Sequence, residues 1–203
     1  MNRFLCWLAV FLFMCSVPAA RAATSAPEGA DPGRDIRFGV GGGLSMPVGE
    51  GSGSLDNSFQ GHAFVRLPIA SQAFAARLEF TYAKHDFGSG IFLAPGASDP
   101  SGTVRVTAAV ANLQLSLRQA GPVRPYVLAG AGLYHFKRDI DAFSGFPAGT
   151  DTQLGVDTGA GVTFRLGAVG AYLEIRTDNV FSDDVFFTDF QEQFVPITFG
   201  VVF

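Results

Sequence analysis

The sequence predicts an all-β protein, an eight-stranded antiparallel up-and-down transmembrane β-barrel, and three observations predict it. Eight segments alternate apolar and polar residues with a period of two, as strands do when each face meets a different medium. The connectors between them alternate between long and short to the end of the chain. Behind a leading apolar run, no further uncharged apolar stretch approaches the length of about 20 residues that a spanning helix needs.

The first segment, from about Asp35 to Met46, sets Phe38, Val40, Leu44 and Met46 against Arg37, Gly39, Gly41, Gly43 and Ser45. The second, Ser58 to Leu67, opposes Phe59, Ala63, Val65 and Leu67 to Gln60, His62, Phe64 and Arg66. In the third, Phe74 to Asp86, Leu78, Phe80 and Tyr82 alternate with Arg77, Glu79 and Thr81. The fourth, Thr103 to Arg118, carries Leu113, Leu115 and Leu117 on odd positions but Val104, Val106 and Val110 on even ones. A phase slip near Ala109, of the kind a bulge makes, is the expectation. The fifth, Pro125 to Lys137, is apolar on both faces, and its orientation stays open. The sixth sets Leu154, Val156, Val162, Phe164 and Leu166 against Gly155, Asp157, Gly159, Gly161 and Arg165. The seventh, Ala171 to Val180, opposes Leu173 and Ile175 to Tyr172, Glu174, Arg176 and Asp178. The eighth, Phe194 to Phe203, puts Ile197, Phe199, Val201 and Phe203 on one face.

Long acidic connectors fall near 47–57, 87–102, 138–152 and 181–193, and short ones near 68–73, 119–124 and 167–170. A bacterial outer-membrane barrel sorts its connectors in this way, with short periplasmic turns, longer extracellular loops and an even strand count. An open sheet edge in hydrocarbon leaves unpaired backbone groups at several kcal/mol each, so the first and eighth strands are expected to pair. In lipid the apolar face points outward and the charged or glycine face lines the lumen. A secreted lipocalin-like barrel would use the same alternation with the opposite sign, but it has no reason to sort its loops by length.

Composition excludes several classes. Both cysteines, Cys6 and Cys15, and the single tryptophan, Trp7, lie in the first 22 residues. The rest has no thiol for disulfides, Cys-based zinc sites or nucleophilic catalysis. The formal charge of −4 leaves no electrostatic footprint for nucleic acid. Residues 1–22 combine Arg3, an apolar run from Phe4 to Val17 and a small-x-small site at Ala20-Arg21-Ala22, which reads as a cleaved signal peptide. Residues 23–34 read as a disordered leader of Ala, Pro, Gly and acid, and 35–203 as the barrel domain.

The C-terminal run Ile197-Thr198-Phe199-Gly200-Val201-Val202-Phe203 resembles the assembly signal of Gram-negative outer-membrane proteins. Pro125-Tyr126-Val127-Leu128-Ala129-Gly130-Ala131-Gly132 is similar to a strand common in small eight-stranded barrels of the OmpX, OmpW and OmpA-transmembrane type. The resemblance implies insertion by the barrel-assembly machinery through Phe199, Val201 and Phe203. With no tryptophan available, Tyr82, Tyr134, Phe136 and Phe199 are the expected aromatic belt.

Eight strands enclose a space just wide enough for side chains to fill, and buried charges must be paired. The expected lumen is therefore a polar plug, with Arg37, Arg66, Arg77, Arg118, Arg165 and Arg176 set against Glu79, Asp157 and Glu174. His62 is expected beside Glu79, and Arg165 diagonal to Glu174. Catalysis by a hydroxyl needs a base, normally His. His85 with Ser89, or His135 with Ser144, is the arrangement to look for at the extracellular rim. The His-x-Ser-Asn motif of lipid A deacylases is absent, and a non-enzymatic protein is expected. The loop acids, among them Asp99, Asp141, Asp183 and Asp189, match no calcium-loop spacing. No cofactor is expected. The expected partners are outer-membrane lipid, lipopolysaccharide and the assembly machinery, with no nucleic acid, and the barrel is expected to be a monomer. The function read here is structural or surface-interacting. The alternatives are transport of a small apolar solute through a narrow or lateral opening, and lipid A modification.

Overall fold

The computed structural model describes residues 36–49, 55–71, 73–86, 102–118, 120–140, 149–166, 169–181 and 191–203. The signal peptide and leader expected at 1–34 and most of the long connectors, with Ser89, Ser144 and the loop acids Asp99, Asp141, Asp183 and Asp189, lie outside these residues. Eight strands follow in order: β1 (Arg37–Val48), β2 (Ser58–Ser71), β3 (Phe74–Asp86), β4 (Gly102–Ser116), β5 (Val123–Ile140), β6 (Gly149–Leu166), β7 (Val169–Phe181) and β8 (Gln191–Val202). Each pairs antiparallel with its sequence neighbours, and β1 closes on β8 from Gly39↔Val202 to Val48↔Gln193. The result is an up-and-down barrel without a free edge, which is what hydrocarbon demands of a sheet.

The faces sort as alternation requires. Phe38, Leu44, Leu78, Phe80, Leu113, Leu173, Ile175 and Phe199 are exposed on the outer surface, whereas Arg77, Glu79, Asp157, Glu174 and Arg176 are buried inside. In water this distribution would be inverted. It is stable only where acyl chains cover the outside and the charged groups are gathered in the lumen.

Two expectations are corrected. β4 has no bulge: its register runs unbroken from Gly102↔Ile140 to Ser116↔Tyr126 on β5, and from Phe74↔Leu115 to Asp86↔Thr103 on β3. Val104, Val106, Ala108 and Val110 therefore share the inner face with Asn112 and Gln114. What changes along β4 is the character of the lumen. The one register shift on this side of the barrel lies in β2, between Pro68 and Ser71. The second correction concerns the belt. β5 turns its even positions inward, so Tyr134 and Phe136, 2% and 0% exposed, belong to the interior. Tyr82 and Phe199 do face outward, 44% and 60% exposed.

The short connectors are tighter than expected. β2 passes to β3 between Ser71 and Phe74, and β6 to β7 between Leu166 and Val169. In the β4–β5 turn Gly121 adopts φ +99°, a conformation that costs a residue without Cβ little.

Candidate functional site: the filled lumen

The lumen has two storeys. The lower holds the charges. Arg77, from β3, donates from Nη1 to Glu174 Oε2 at 2.5 Å and from Nη2 to Oε1 at 3.2 Å, a bidentate fork. Its Nε lies 2.6 Å from Glu79 Oε1, and its guanidinium stacks 3.8 Å above the Phe64 ring. Arg176, from β7, pairs with Glu79 Oε2 through Nη1 and approaches Glu174 Oε1 at 3.5 Å and Asp157 Oδ2 at 3.6 Å. Tyr126 donates its hydroxyl to Glu174 Oε2 at 2.7 Å.

His62 completes this layer, and its tautomer follows from its neighbours. Glu79 Oε2 lies 3.1 Å from Nε2 and accepts, so Nε2 carries the proton. Nδ1 of the neutral ring then accepts from the Tyr172 hydroxyl at 2.9 Å. Tyr172 fits because β1 and β8 present glycine to it. A Cβ on Gly41 would lie 2.4 Å from the Tyr172 hydroxyl oxygen, and one on Gly200 2.5 Å from its ring. Gly41 and Gly200 thus make room for a ring.

Charge does not balance within this layer. Four buried carboxylates, Glu79, Asp157, Glu174 and Asp178, meet two buried guanidiniums, Arg77 and Arg176. Asp157 and Asp178 face each other across β6 and β7. Neither oxygen of Asp157, nor Oδ1 of Asp178, finds a hydrogen-bond partner. Among the described residues, buried carboxylates thus outnumber buried guanidiniums two to one in this layer. Among the described residues, His62, Glu79 and Glu174 bring donor atoms within 4.8 Å of one another. The guanidiniums of Arg77 and Arg176 already hold those carboxylates, so the set is not free to take a metal.

The upper storey is apolar. Val104, Val106, Ala108 and Val110 of β4 pack with Tyr134, Phe136, Val180 and Phe194, with Leu55 laid against them. Phe194 contacts Phe136 at 6.5 Å and His85 at 5.3 Å between ring centroids. His85 is fully buried. Its Nδ1 donates to the Asp56 carbonyl at 3.0 Å, which leaves Nε2 to accept from the Ser58 hydroxyl at 3.2 Å. The partner of His85 is therefore Ser58, a residue the sequence reading missed. Ser58 is itself buried, so the contact pins the entry of β2 to the end of β3 and presents no open hydroxyl. His135 faces outward, hydrogen-bonded to Thr152 at 2.8 Å.

Of the residues expected in the plug, His62, Arg77, Glu79, Asp157, Glu174 and Arg176 come together. Arg37, Arg66, Arg118 and Arg165 do not. They occupy the short-turn end, beyond the plug. Arg165 pairs across with Gly170, while Glu174 faces Gly161, four residues away along β6. Tyr126, Tyr172 and Asp178 belong to the network but were not assigned to it. Inward phase and a polar terminus were the available signals.

The sequence matches the outer membrane protein beta-barrel domain over residues 8–200. The chain belongs to this family. No curated protein matches it significantly in sequence. Among solved structures, the chain is similar to Neisserial surface protein A, with 14% identity and TM-score 0.59 over 82% of this chain and 95% of that one. A major outer membrane protein from Thermus thermophilus shares 13% identity at TM-score 0.56, covering 83% and 98%. Ail of Yersinia pestis, in complex with the heparin analogue sucrose octasulfate, shares 16% identity at TM-score 0.50, covering 83% and 99%. At these identities the likeness concerns the fold.

Proposed function

We propose that this is a sealed outer-membrane barrel that works as a structural and surface-interacting protein and neither conducts nor catalyses. The observation that carries this reading is the filled lumen. A charged storey with Arg77 and Glu174 each 1% exposed lies beneath an apolar storey closed by Phe136 and Val180, both 0% exposed. A solute following the axis would have to break the ion network and displace the aromatic layer.

Interaction is then left to the outer surface. Lys84, Arg105 and Lys137 lie side by side on β3, β4 and β5, on the outward phase one step above Tyr82, Thr107 and His135. Asp86 and Asp139 stand among them, with Arg105 3.3 Å from Asp139. Such a row suits the phosphates of lipopolysaccharide in the outer leaflet, since guanidinium and ammonium groups pair with phosphate. β5 and β6, 18 residues each, exceed the 9–11 residues that a tilted strand needs to cross. They carry this surface beyond the membrane. The outward run Phe199, Val201 and Phe203 is available to the assembly machinery before β8 closes on β1.

Planar-bilayer recording tests the reading. The protein is expected to insert, as judged by heat-modifiable gel migration, without unitary conductance steps. Reproducible steps from the unsubstituted protein would show that the lumen opens and would refute the sealed barrel.

A further inference from the structure

We propose that Asp157, Asp178 and the Asn112 amide are the ligands of a calcium-type cation buried in the lumen. The placement follows from register. Asn112 of β4 pairs with Gly130 of β5, Gly130 with Asp157 of β6, and Asp157 with Asp178 of β7. These positions form one row across adjacent strands, and all lie on the inward phase. Gly130 lets the row close. A Cβ there would fall 2.2 Å from Asn112 Oδ1, so the amide lies over β5 and is carried toward Asp157. Above the row the Tyr134 ring lies over Gly155 and brings its hydroxyl within electrostatic reach of both aspartates.

The aspartates alone would be a cluster of acids, and the pointer to a ligand is Asn112. It is 3% exposed, and neither its Oδ1 nor its Nδ2 finds a hydrogen-bond partner of normal geometry. A buried amide in that state is costly, and its carbonyl oxygen beside two carboxylates is the donor set of a hard cation. Arg176 reaches the pair, with Nη1 3.6 Å from Asp157 Oδ2, but that same nitrogen is committed to Glu79. Arg77 is taken up by Glu79 and Glu174, and His62 is neutral in the tautomer that Glu79 and Tyr172 impose. Every lysine, arginine and histidine after residue 36 is among the described residues, so the connectors outside them bring no further cation. Four buried carboxylates against two buried guanidiniums leave two negative charges, which one divalent ion cancels. Calcium suits the place better than magnesium, because it accepts an irregular shell of oxygens and gives up water more readily.

The full chain, folded in detergent with calcium and passed over a chelating resin, is expected to retain about one calcium per barrel by elemental mass spectrometry. Without the resin step, its urea midpoint is expected to rise with calcium relative to EGTA, since a ligand of the folded state alone stabilises it. Asp157→Asn with Asp178→Asn should abolish both effects, and Asn112→Ala should weaken calcium binding on the order of tenfold, with heat-modifiable migration kept in each. Asp56→Asn, which alters an exposed carboxylate at the extracellular end, should change neither. If the double variant does not fold, Asp178→Asn alone provides the comparison: in EGTA it should be at least as stable as the parent, and calcium should no longer raise its midpoint. Retention rests on the sealed lumen, whereas the midpoint does not. A midpoint that rises with calcium although the resin strips the ion would support the site and refute the seal. A parent that neither retains calcium nor responds to it overturns the proposal, and so does a calcium effect that is unaltered in the aspartate and asparagine variants.

Discussion

Arg77→Met is expected to destabilise the folded barrel by about 3–5 kcal/mol, the cost of leaving buried charges without their partner. Arg77 makes the bidentate contact with Glu174 and also touches Glu79. Its loss would leave Arg176 alone among four buried carboxylates. Asp178→Asn should behave in the opposite way. It removes one charge from a layer that holds too many of that sign, and so should leave stability unchanged or raised. Both are read from urea unfolding in lipid followed by far-ultraviolet circular dichroism, since the strands contain no tryptophan, the only one, Trp7, preceding them in the sequence. Equal losses for the two variants would show that the charge imbalance of the lumen has no energetic consequence.

The contrast between these residues marks what could be read in the sequence. Period-two alternation assigns a face, and the inward assignment of Arg77, Glu79, Asp157, Glu174 and Arg176 follows from it directly. Alternation says nothing of height along the axis. Height comes from register, and register from the turns. The β2–β3 and β6–β7 turns are shorter than the connectors drawn from composition, so Leu166 pairs with Val169, and Arg165 stays at the rim. His62 still reaches Glu79, as a diagonal neighbour, because Phe64 is the residue opposite Glu79.

The upper storey was hidden for a different reason. An apolar residue facing the lumen and one facing lipid have the same hydropathy, so Val104, Val106 and Val110 looked like a change of phase. The partner strands held the missing information. Arg105 and Lys137 are paired across β4 and β5, and two such groups belong on the outside above the apolar band, which commits the neighbouring valines and Phe136 to the interior. The bounds of β3, Phe74–Asp86, were legible because its two faces differ along their whole length.

Leu78→Arg is expected to cost about 2–4 kcal/mol, the penalty for a cation at the midplane of a barrel's lipid face. Leu78 is 54% exposed and lies midway between Phe74 and Tyr82 on the outer face of β3. In a water-soluble barrel, exchanging an exposed leucine for arginine would cost almost nothing. Lys84→Leu, on the same face above the apolar band, should shift stability by much less. Unfolding midpoints in lipid bilayers distinguish these cases, and a Leu78→Arg variant as stable as the parent would contradict immersion at that level.

Accessibility along β4 tests most directly that the apolar face meets acyl chains around a closed interior. The barrel has no cysteine of its own, so single cysteines from 104 to 113 can each carry a spin label in the bilayer-inserted protein. Labels at 109, 111 and 113 are expected to collide freely with membrane-dissolved oxygen. Those at 104, 106, 108, 110 and 112 should be shielded from both oxygen and a water-soluble nickel chelate, with no break in phase near 109. Even-numbered labels open to oxygen, or a reversal of phase part-way along the strand, would contradict both the outward apolar face and the filled lumen.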